Sequence, residues 1–199
     1  MQMNKPFSQA CENNKDPILT VLKTCFSNSK HVLEVGSGTG QHSVHFAMHL
    51  AHLEWQTSDR LINHGGIQQW IDEAQLSNLH APLTLDLNHA WPITSVDAIY
   101  TANTLHIISR ALVECFFDGI KRHLAPEGVV CIYGPFKYQG QYTSESNQRF
   151  DEFLKGQDSE SGIRDFEYIV TLGELAGLTL LEDHKMPANN QLLVFKRHA

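Results

Sequence analysis

Short apolar runs alternate along the chain with longer segments in which apolar residues recur every three or four positions. The short runs are rich in Val, Ile and Leu and favour buried strands, whereas the longer spacing is typical of helices. The predicted strands cover residues 31–35, 53–57, 83–87, 96–101, 128–133, 178–183 and 191–196. The predicted helices cover residues 16–26, 41–50, 67–75 and 165–176, and a further helix runs through 115–123.

This order of elements predicts a single α/β domain over residues 1–199. Strands that alternate with helices run parallel and are joined by right-handed crossovers, so helices cover both faces of the sheet. The predicted fold class is a doubly wound, Rossmann-like sheet of seven strands. A short turn with Pro187, Asn189 and Asn190 separates the last two strands, and a parallel crossover needs about a dozen residues. We therefore expect the last strand to be antiparallel.

Two segments stand apart from this alternation. Residues 1–15 are polar and are expected to be irregular, ahead of a helix that begins at Asp16 with Pro17 in its first position. Residues 134–162 are rich in Gly, Gln, Ser and Asn around an amphipathic stretch, 147–154. We interpret this second segment as a lid-like insertion over the sheet edge.

Composition narrows the possible partners and the location. The net charge is −7, which argues against sequence-independent binding to nucleic acid, because phosphates require a cationic surface. The four cysteines form no CxxC pair, which favours reduced, mostly buried thiols in the cytoplasm. No apolar run is long enough to span a membrane. The oligomeric state cannot be read from the sequence.

A glycine-rich turn follows the first predicted strand and carries the main chemical signal. Its sequence runs from Glu34 to Gly40 as EVGSGTG. Glycines at a strand–helix turn allow a tight bend and a close backbone approach to a ligand. The amides at the start of the next helix can bind an anionic group. Because this turn lies at the carboxyl ends of parallel strands, it is expected to bind a ligand there.

The spacing distinguishes two classes of ligand. A dinucleotide turn has the pattern GxGxxG, but Gln41 occupies its third glycine position. The observed pattern, acid-x-GxGxG, resembles motif I of the class I methyltransferases, which bind S-adenosylmethionine. A nicotinamide-dependent oxidoreductase is the interpretation that a dinucleotide turn would favour, and the missing third glycine counts against it.

The resemblance to class I methyltransferases assigns cofactor contacts. It places Glu34 near the methionine amino group and residues 36–40 under the ribose and methionine. Asp59 ends the second predicted strand, where an acid can accept hydrogen bonds from both ribose hydroxyls. Asp86 ends the third, where polar side chains of this fold often meet the adenine amino group. The predicted cofactor residues are Glu34, Gly36, Ser37, Gly38, Gly40, Asp59, Asp86 and Asn103. Alternatively, Asp59 has a structural role, as a turn residue or as the cap of a helix.

Longer strings are similar to one family, the methyltransferase-like 26 proteins and their bacterial relatives of unknown function. The matching strings are SQACENNKDPIL, LEVGSGTGQHSVHFA, ANTLHI, YGPFK and MPANNQLLVFKR, which together span nearly the whole chain. The resemblance implies a class I methyltransferase fold and S-adenosylmethionine binding, but it implies no substrate.

The acceptor side is predicted from residues that follow the fourth and fifth strands. Asn103 and His106 stand where class I enzymes place residues that face the transferred methyl group, and His106 is the candidate catalytic base. Alternatively, Asn103 caps a helix and His106 packs against the cofactor. The predicted substrate pocket consists of Glu12, Asn13, His42, Tyr133 and Phe136. Tyr133 and Phe136 could equally pack under the lid.

Four histidines recur at helical spacing, at positions 42, 45, 49 and 52. Such a stripe invites a metal-site interpretation, but no acidic residue shares it, and metal sites usually converge from different elements. We therefore predict no metal, and interpret the stripe as the polar face of a covering helix.

These observations predict an S-adenosylmethionine-dependent methyltransferase with a small-molecule or protein acceptor. No proline-rich N-methylation signature follows the fourth strand, which lowers the odds of a DNA or amide acceptor. The alternative is a non-catalytic S-adenosylmethionine-binding sensor or partner subunit. A pocket filled by Tyr133, Phe136 and His106 would favour that alternative, whereas room for an acceptor under the lid would favour the enzyme.

Overall fold

The computed structural model describes residues 5–198. The helices are α1 (Gln9–Cys25), α2 (Gln41–His49), α3 (His64–Ala74), α4 (Arg110–His123), α5 (Glu145–Gln157) and α6 (Phe166–Leu175). The strands are β1 (His31–Val35), β2 (Glu54–Asp59), β3 (Leu79–Thr84), β4 (Val96–Ala102), β5 (Leu124–Gly134), β6 (Phe136–Lys137), β7 (Arg164–Asp165), β8 (Leu178–Met186) and β9 (Asn190–Arg197). Short 3-10 helices cover Leu61–Asn63 and Pro187–Asn189.

Seven strands form one sheet in the order β3-β2-β1-β4-β5-β9-β8. The strands from β3 to β5 pair in parallel, whereas β9 pairs antiparallel with both β5 and β8. This arrangement confirms the predicted doubly wound α/β fold and its antiparallel last strand. The order reverses between β1 and β4, so their carboxyl ends border the crevice where such sheets bind ligands.

Two apolar cores lie on opposite faces of this sheet, because successive strand residues point to opposite sides. One core joins Leu33 and Ile99 to Phe116 of α4 and Ile169 of α6. The other core packs α1, α2 and α3 against the sheet, with Leu22, Phe46, Trp55, Ile67 and Tyr100 fully buried. Glu34 and Tyr133 have side chains on this second face, which is where the chemistry of the turn is built.

The predicted irregular segment before Asp16 is wrong over residues 9–15, because α1 already begins at Gln9. Ser8 is the N-cap, and its hydroxyl accepts a hydrogen bond from the Cys11 amide at 3.3 Å. Pro17 lies inside the helix instead of at its first position. The part of the predicted irregular segment that covers residues 1–4 lies outside the described residues.

Two strand predictions also need correction. The third strand covers Leu79–Thr84, so Asp86 lies two residues beyond its end, in a turn where the His89 amide donates to Asp86 O. Strand β5 begins at Leu124 instead of residue 128. The residues between Leu124 and Val129 therefore lie inside the strand, where its pairing with β4 shifts register.

The four cysteines form no disulfide with one another in the described residues. Of these, Cys131 is buried and the other three are half-buried, so the expectation of mostly buried thiols holds for one. Within residues 5–198, we find no helix that combines the length and the apolar character needed to cross a membrane.

Gly119 packs α4 directly against Trp91, and a Cβ there would lie 2.1 Å from Trp91 Cζ2. We expect Gly119→Ala to destabilise the fold by about 1–3 kcal/mol, because the indole must move inside a packed core. Gly156→Ala in α5 is the matched control, since nothing lies within 4 Å of its Cβ position. Urea denaturation should show the loss for Gly119→Ala alone; equal midpoints would contradict the packing argument.

Candidate cofactor and acceptor site

The glycine turn connects β1 to α2 at the carboxyl edge of the sheet. Gly36, Gly38 and Gly40 all have positive φ angles, of 75°, 59° and 91°. Side chains with a Cβ rarely adopt this conformation, so the three glycines define the shape of the turn. The amides of Gly36 and Ser37 both donate to Ser58 O, which ties the turn to the end of β2.

The three glycines also differ in what surrounds them. A Cβ on Gly36 would lie 2.9 Å from Thr104 Oγ1, and one on Gly40 would lie 3.2 Å from the Ile67 backbone. These two positions therefore allow close packing within the protein. Nothing lies within 4 Å of a Cβ on Gly38, so this part of the turn is open to an approaching ligand.

Asp59 links the end of β2 to the glycine turn. Its Oδ2 accepts a hydrogen bond from the Gly38 amide at 2.8 Å. Its Oδ1 accepts hydrogen bonds from the Arg60 amide and Asn63 Nδ2, both at 2.7 Å. A carboxylate offers about four acceptor positions, so these three donors leave room for a further one. Asp59 is thus held in place while keeping capacity for a ligand hydroxyl.

Glu34 lies beneath the turn and is buried. One oxygen, Oε2, accepts hydrogen bonds from Ser37 Oγ at 3.1 Å, Trp55 Nε1 at 3.0 Å and Ser43 Oγ. Burial raises the pKa of this carboxyl, and the three donors oppose that rise. The hydroxyl of Ser37 points to Glu34 and also accepts from the Ser58 amide, so Ser37 supports the turn from below.

The predicted adenine residue, Asp86, lies beside the same edge. The Leu85 amide donates to Asp59 O at 3.0 Å, so Asp86 follows directly after a contact with the end of β2. The Asp86 carboxylate is exposed and accepts from the Asn88 amide at 3.0 Å. Asp86 is therefore on the correct edge of the sheet but belongs to a loop.

Asn103 lies in the loop that follows β4 and has a positive φ of 54°. Its amide donates to Tyr133 O at 2.9 Å, which joins the carboxyl ends of β4 and β5. Asn103 does not cap α4, because Ser109 is the N-cap of that helix. This removes the alternative interpretation of Asn103.

His106 lies in the same loop and is 5% exposed. Its ring packs edge-on against Phe150 of α5, with ring centroids 5.4 Å apart, and a Cβ on Gly134 would lie 3.5 Å from Nδ1. Burial lowers the His106 pKa to about 4, and the nearby Arg164 guanidinium contributes. The ring is therefore neutral at physiological pH. Among residues 5–198, neither ring nitrogen has a hydrogen-bond partner.

The start of α1 folds over the glycine turn through Gln41. Its Oε1 accepts from the Ser8 amide at 2.6 Å, and its Nε2 donates to Glu12 Oε1 at 3.0 Å. Trp70 Nε1 donates to Pro6 O at 2.8 Å, which fixes the preceding residues against α3. Glu12 thus lies beside the turn, whereas Asn13 is exposed and its side chain accepts a hydrogen bond from Gln9 Nε2 at 2.9 Å.

His42 forms the centre of a buried polar network below α1. Its Nε2 lies 2.7 Å from Asn14 Oδ1, and its Nδ1 lies 3.2 Å from the Tyr100 hydroxyl. Burial lowers its pKa to about 4. The Tyr133 hydroxyl accepts from Asn190 Nδ2 at 3.0 Å, and burial raises the Tyr133 pKa. These residues hold α1, α2, β4 and β5 together.

The four histidines at helical spacing do not converge. The helix ends at His49, so His52 lies beyond it and contacts Phe26 O, while His49 contacts His45 O. His45 Nε2 lies 3.0 Å from Asp16. In the part of the chain that the structure describes, no group of three or more His, Cys, Asp or Glu residues could hold a metal ion.

The structure therefore brings together Glu34, Ser37, Asp59 and the three glycines, and places Asn103 and His106 at the neighbouring strand end. Phe136 lies elsewhere, in the apolar core with α4 and α6. Sequence analysis missed Asn14, Gln41 and Asn63, which position the functional side chains. Asn63 stands four residues after Asp59, at the end of the short 3-10 helix that follows β2, and an amide so soon after a strand-ending acid is the signal that could have identified it.

Solved structures of methyltransferases share this fold. An O-methyltransferase family protein from Burkholderia thailandensis superposes with a TM-score of 0.82 at 15% identity, over 93% of this chain and 56% of its own. Human N-acetylserotonin methyltransferase in complex with SAM gives a TM-score of 0.82 at 14% identity, over 96% of this chain and 53% of its own. PigF, solved with SAH, gives a TM-score of 0.78 at 15% identity, over 91% of this chain and 55% of its own. The chain spans about half the length of these proteins and shares their Rossmann-like methyltransferase fold.

A family assignment comes from the sequence itself. The family model described as "Protein of unknown function (DUF938)" matches residues 5–197. The chain belongs to this family.

Proposed function

We propose that the chain binds S-adenosylmethionine at the glycine turn and transfers its methyl group to an acceptor beside His106. The observation that carries the proposal is the contact between Asp59 and the Gly38 amide, which fixes an acidic side chain next to an open stretch of backbone. Such a pair suits a ribose, one of whose hydroxyls can donate to the remaining acceptor position of the carboxylate while the ring lies against the turn.

The neighbouring surface suits a purine base. Leu61 and Ile62 follow Asp59 after one intervening residue, Arg60, and are 69% and 84% exposed. Exposed apolar side chains beside a sugar site can cover a planar base, and Asp86 would then meet the adenine amino group from the next loop. Glu34 lies below the turn, and its buried carboxyl would lie near the methionine amino group of the cofactor. The positions of Asp86 and Glu34 support these roles.

When bound, the cofactor supplies a methyl group on a sulfonium, which an oxygen or nitrogen nucleophile can attack in line. The protein then has to position the acceptor and exclude water. A neutral His106 ring can take the proton that the nucleophile loses. The segment 134–162, proposed as a lid, supports this arrangement because it places Phe150 against His106.

Calorimetric titration tests the cofactor half of the proposal. We expect the purified protein to bind S-adenosylmethionine and its demethylated product with micromolar affinity, and not to bind NADH. Binding of NADH alone would revive the oxidoreductase interpretation. Failure to bind either sulfur ligand would overturn the proposal.

A non-catalytic S-adenosylmethionine-binding module is the second candidate. It is favoured by the burial of His106 and Tyr133, which are 5% and 2% exposed and leave little room for an acceptor at this strand end. Incubation with tritium-labelled S-adenosylmethionine and a cell extract separates the two candidates. The enzyme should label an acceptor, and His106→Gln should lose labelling while it keeps cofactor affinity. Binding without labelling of any extract would favour the module.

The finer relationship to the methyltransferase-like 26 proteins is part of the same proposal. It is supported by strings that now have structural roles: the N-terminal string forms the start of α1, and the string from Ala102 to Ile107 forms the loop with His106. The relationship identifies no acceptor.

A further inference from the structure

A polar cavity of about 250 Å³ lies between the start of α4, the β6–β7 pair and the start of α6. Six charged side chains line it: Arg110, Lys137, Lys155, Glu160, Arg164 and Asp165. Four of these are basic in a chain whose net charge is −7, so positive charge is concentrated here against the overall balance. The glycine turn, His106 and Tyr133 do not line this cavity. We call it the Lys137 cavity.

Lys137 and Asp165 face each other in this cavity without forming a hydrogen bond. Lys137 Nζ lies 3.7 Å from Asp165 Oδ2, and the lysine side chain is only 18% exposed. Among residues 5–198, no acceptor lies within hydrogen-bond distance of this ammonium, and the buried Asp165 Oδ1 has no partner. The Lys137 ammonium is therefore held in a long ion pair and keeps donors for an anion that enters the cavity.

Arg164 and Arg110 are both held in position at this cavity. Arg164 donates from Nε to Leu105 O at 3.0 Å and from Nη2 to Ile108 O and Glu160 O. Its Nη1 has no hydrogen-bond acceptor within the described part of the chain. The Arg110 guanidinium lies 4.0 Å from the centre of the Tyr168 ring. The planar guanidinium of Arg164 is thus fixed with donors to spare, which suits carboxylate or phosphate recognition.

We propose that the Lys137 cavity binds a small anionic group, a phosphate or a carboxylate. The Lys137 ammonium and Arg164 Nη1 donate to this group. The cavity is smaller than the roughly 300–1,000 Å³ usual for drug-sized ligands, so a compact metabolite fits it best.

This site is separate from the proposed methyl-transfer site but contacts the loop that carries His106. Arg164 binds the carbonyls of Leu105 and Ile108, on either side of that histidine. The Gly162 amide donates to His106 O at 2.9 Å. An anion on Arg164 therefore acts on the segment that positions His106, while its binding can be measured without any methyl transfer.

The test is calorimetric titration of the full chain with inorganic phosphate and, separately, with citrate, in chloride buffer of constant ionic strength. We expect one or both anions to bind, which distinguishes a phosphate from a carboxylate preference. Lys137→Met should weaken binding about 10-fold or more, as the loss of one charge-assisted hydrogen bond implies. Lys121→Met, which removes the same charge from the last turn of α4, should bind as the wild type does.

Arg110→Gln provides a second cavity variant, because the Arg110 side chain is exposed and its loss does not threaten folding. It should also weaken binding, with an unchanged circular dichroism spectrum. Absence of binding to both anions in the wild type would overturn the proposal. Equal affinities in the wild type, Lys137→Met and Arg110→Gln would overturn it as well.

Discussion

Asp59→Ala should weaken S-adenosylmethionine binding by about 100-fold or more. Hydrogen bonds from ribose hydroxyls to a charged acceptor are worth about 1.5–3 kcal/mol each, and alanine removes the acceptor. The substitution also releases the Gly38 amide, which Asp59 Oδ2 holds at 2.8 Å, so the turn loses part of its preorganisation. Calorimetric titration of folded wild type and variant measures the effect directly.

Two further substitutions separate ribose binding from general effects of charge and folding. Asp59→Asn keeps the size and an acceptor oxygen but loses the charge, so we expect an intermediate affinity. Asp72→Ala removes an exposed acid from α3 and should bind the cofactor as the wild type does. If Asp59→Ala binds as tightly as Asp72→Ala, the assignment of Asp59 to the ribose is wrong.

Much of the sheet could be predicted because its strands have apolar runs that local sequence can reveal. The antiparallel β9 followed from a connection too short for a parallel crossover. The largest error was in β3, an edge strand with Pro82 inside it and several partly exposed positions. Edge strands tolerate proline and need little burial, so their periodicity is weak. The alternation in 83–87 therefore drew the prediction towards the loop that holds Asp86.

The start of α1 could not be predicted, because its stabilising contacts come from distant residues. Residues 9–15 lack an apolar stripe, and the helix is anchored instead by Gln41, which binds Ser8 and Glu12. In the sequence, Gln41 signalled only the absence of a third glycine. Its role depends on tertiary structure, as does that of Asn14, which is buried against His42.

The candidate site was predictable to the extent that glycine and carboxylate patterns reflect backbone geometry. The positive φ angles of Gly36, Gly38 and Gly40 are what the motif requires. The side-chain roles were less accessible, since Ser37 turned out to bond Glu34 below the turn. Phe136, an expected pocket residue, points into the core on the other face of the sheet. One residue of shift along a strand is enough to reverse such an assignment.

Lowering the pH from 6.5 towards 4 should destabilise the protein through His42. In the folded state burial holds the His42 pKa at about 4, whereas the ordinary value is 6.5. Between these values the unfolded chain binds a proton that the folded chain does not, so acid favours unfolding. The difference corresponds to at most roughly 3 kcal/mol. His106 acts in the same direction, and Glu34, whose pKa is raised by burial, acts in the opposite direction.

The contribution of His42 can be separated from those of His106 and Glu34 by comparing how steeply the free energy of unfolding falls with pH in different variants. The free energy of unfolding, measured in urea between pH 7 and pH 4, should fall less steeply for His42→Gln than for the wild type. Tyr100→Phe is the matched control: it removes the partner of His42 Nδ1 but keeps the imidazole buried. We expect it to lower stability at every pH while retaining the steep acid dependence. Removal of the group that causes the acid sensitivity should flatten the plot of unfolding free energy against pH. If the wild type and His42→Gln give parallel plots, a group other than His42 causes the acid sensitivity.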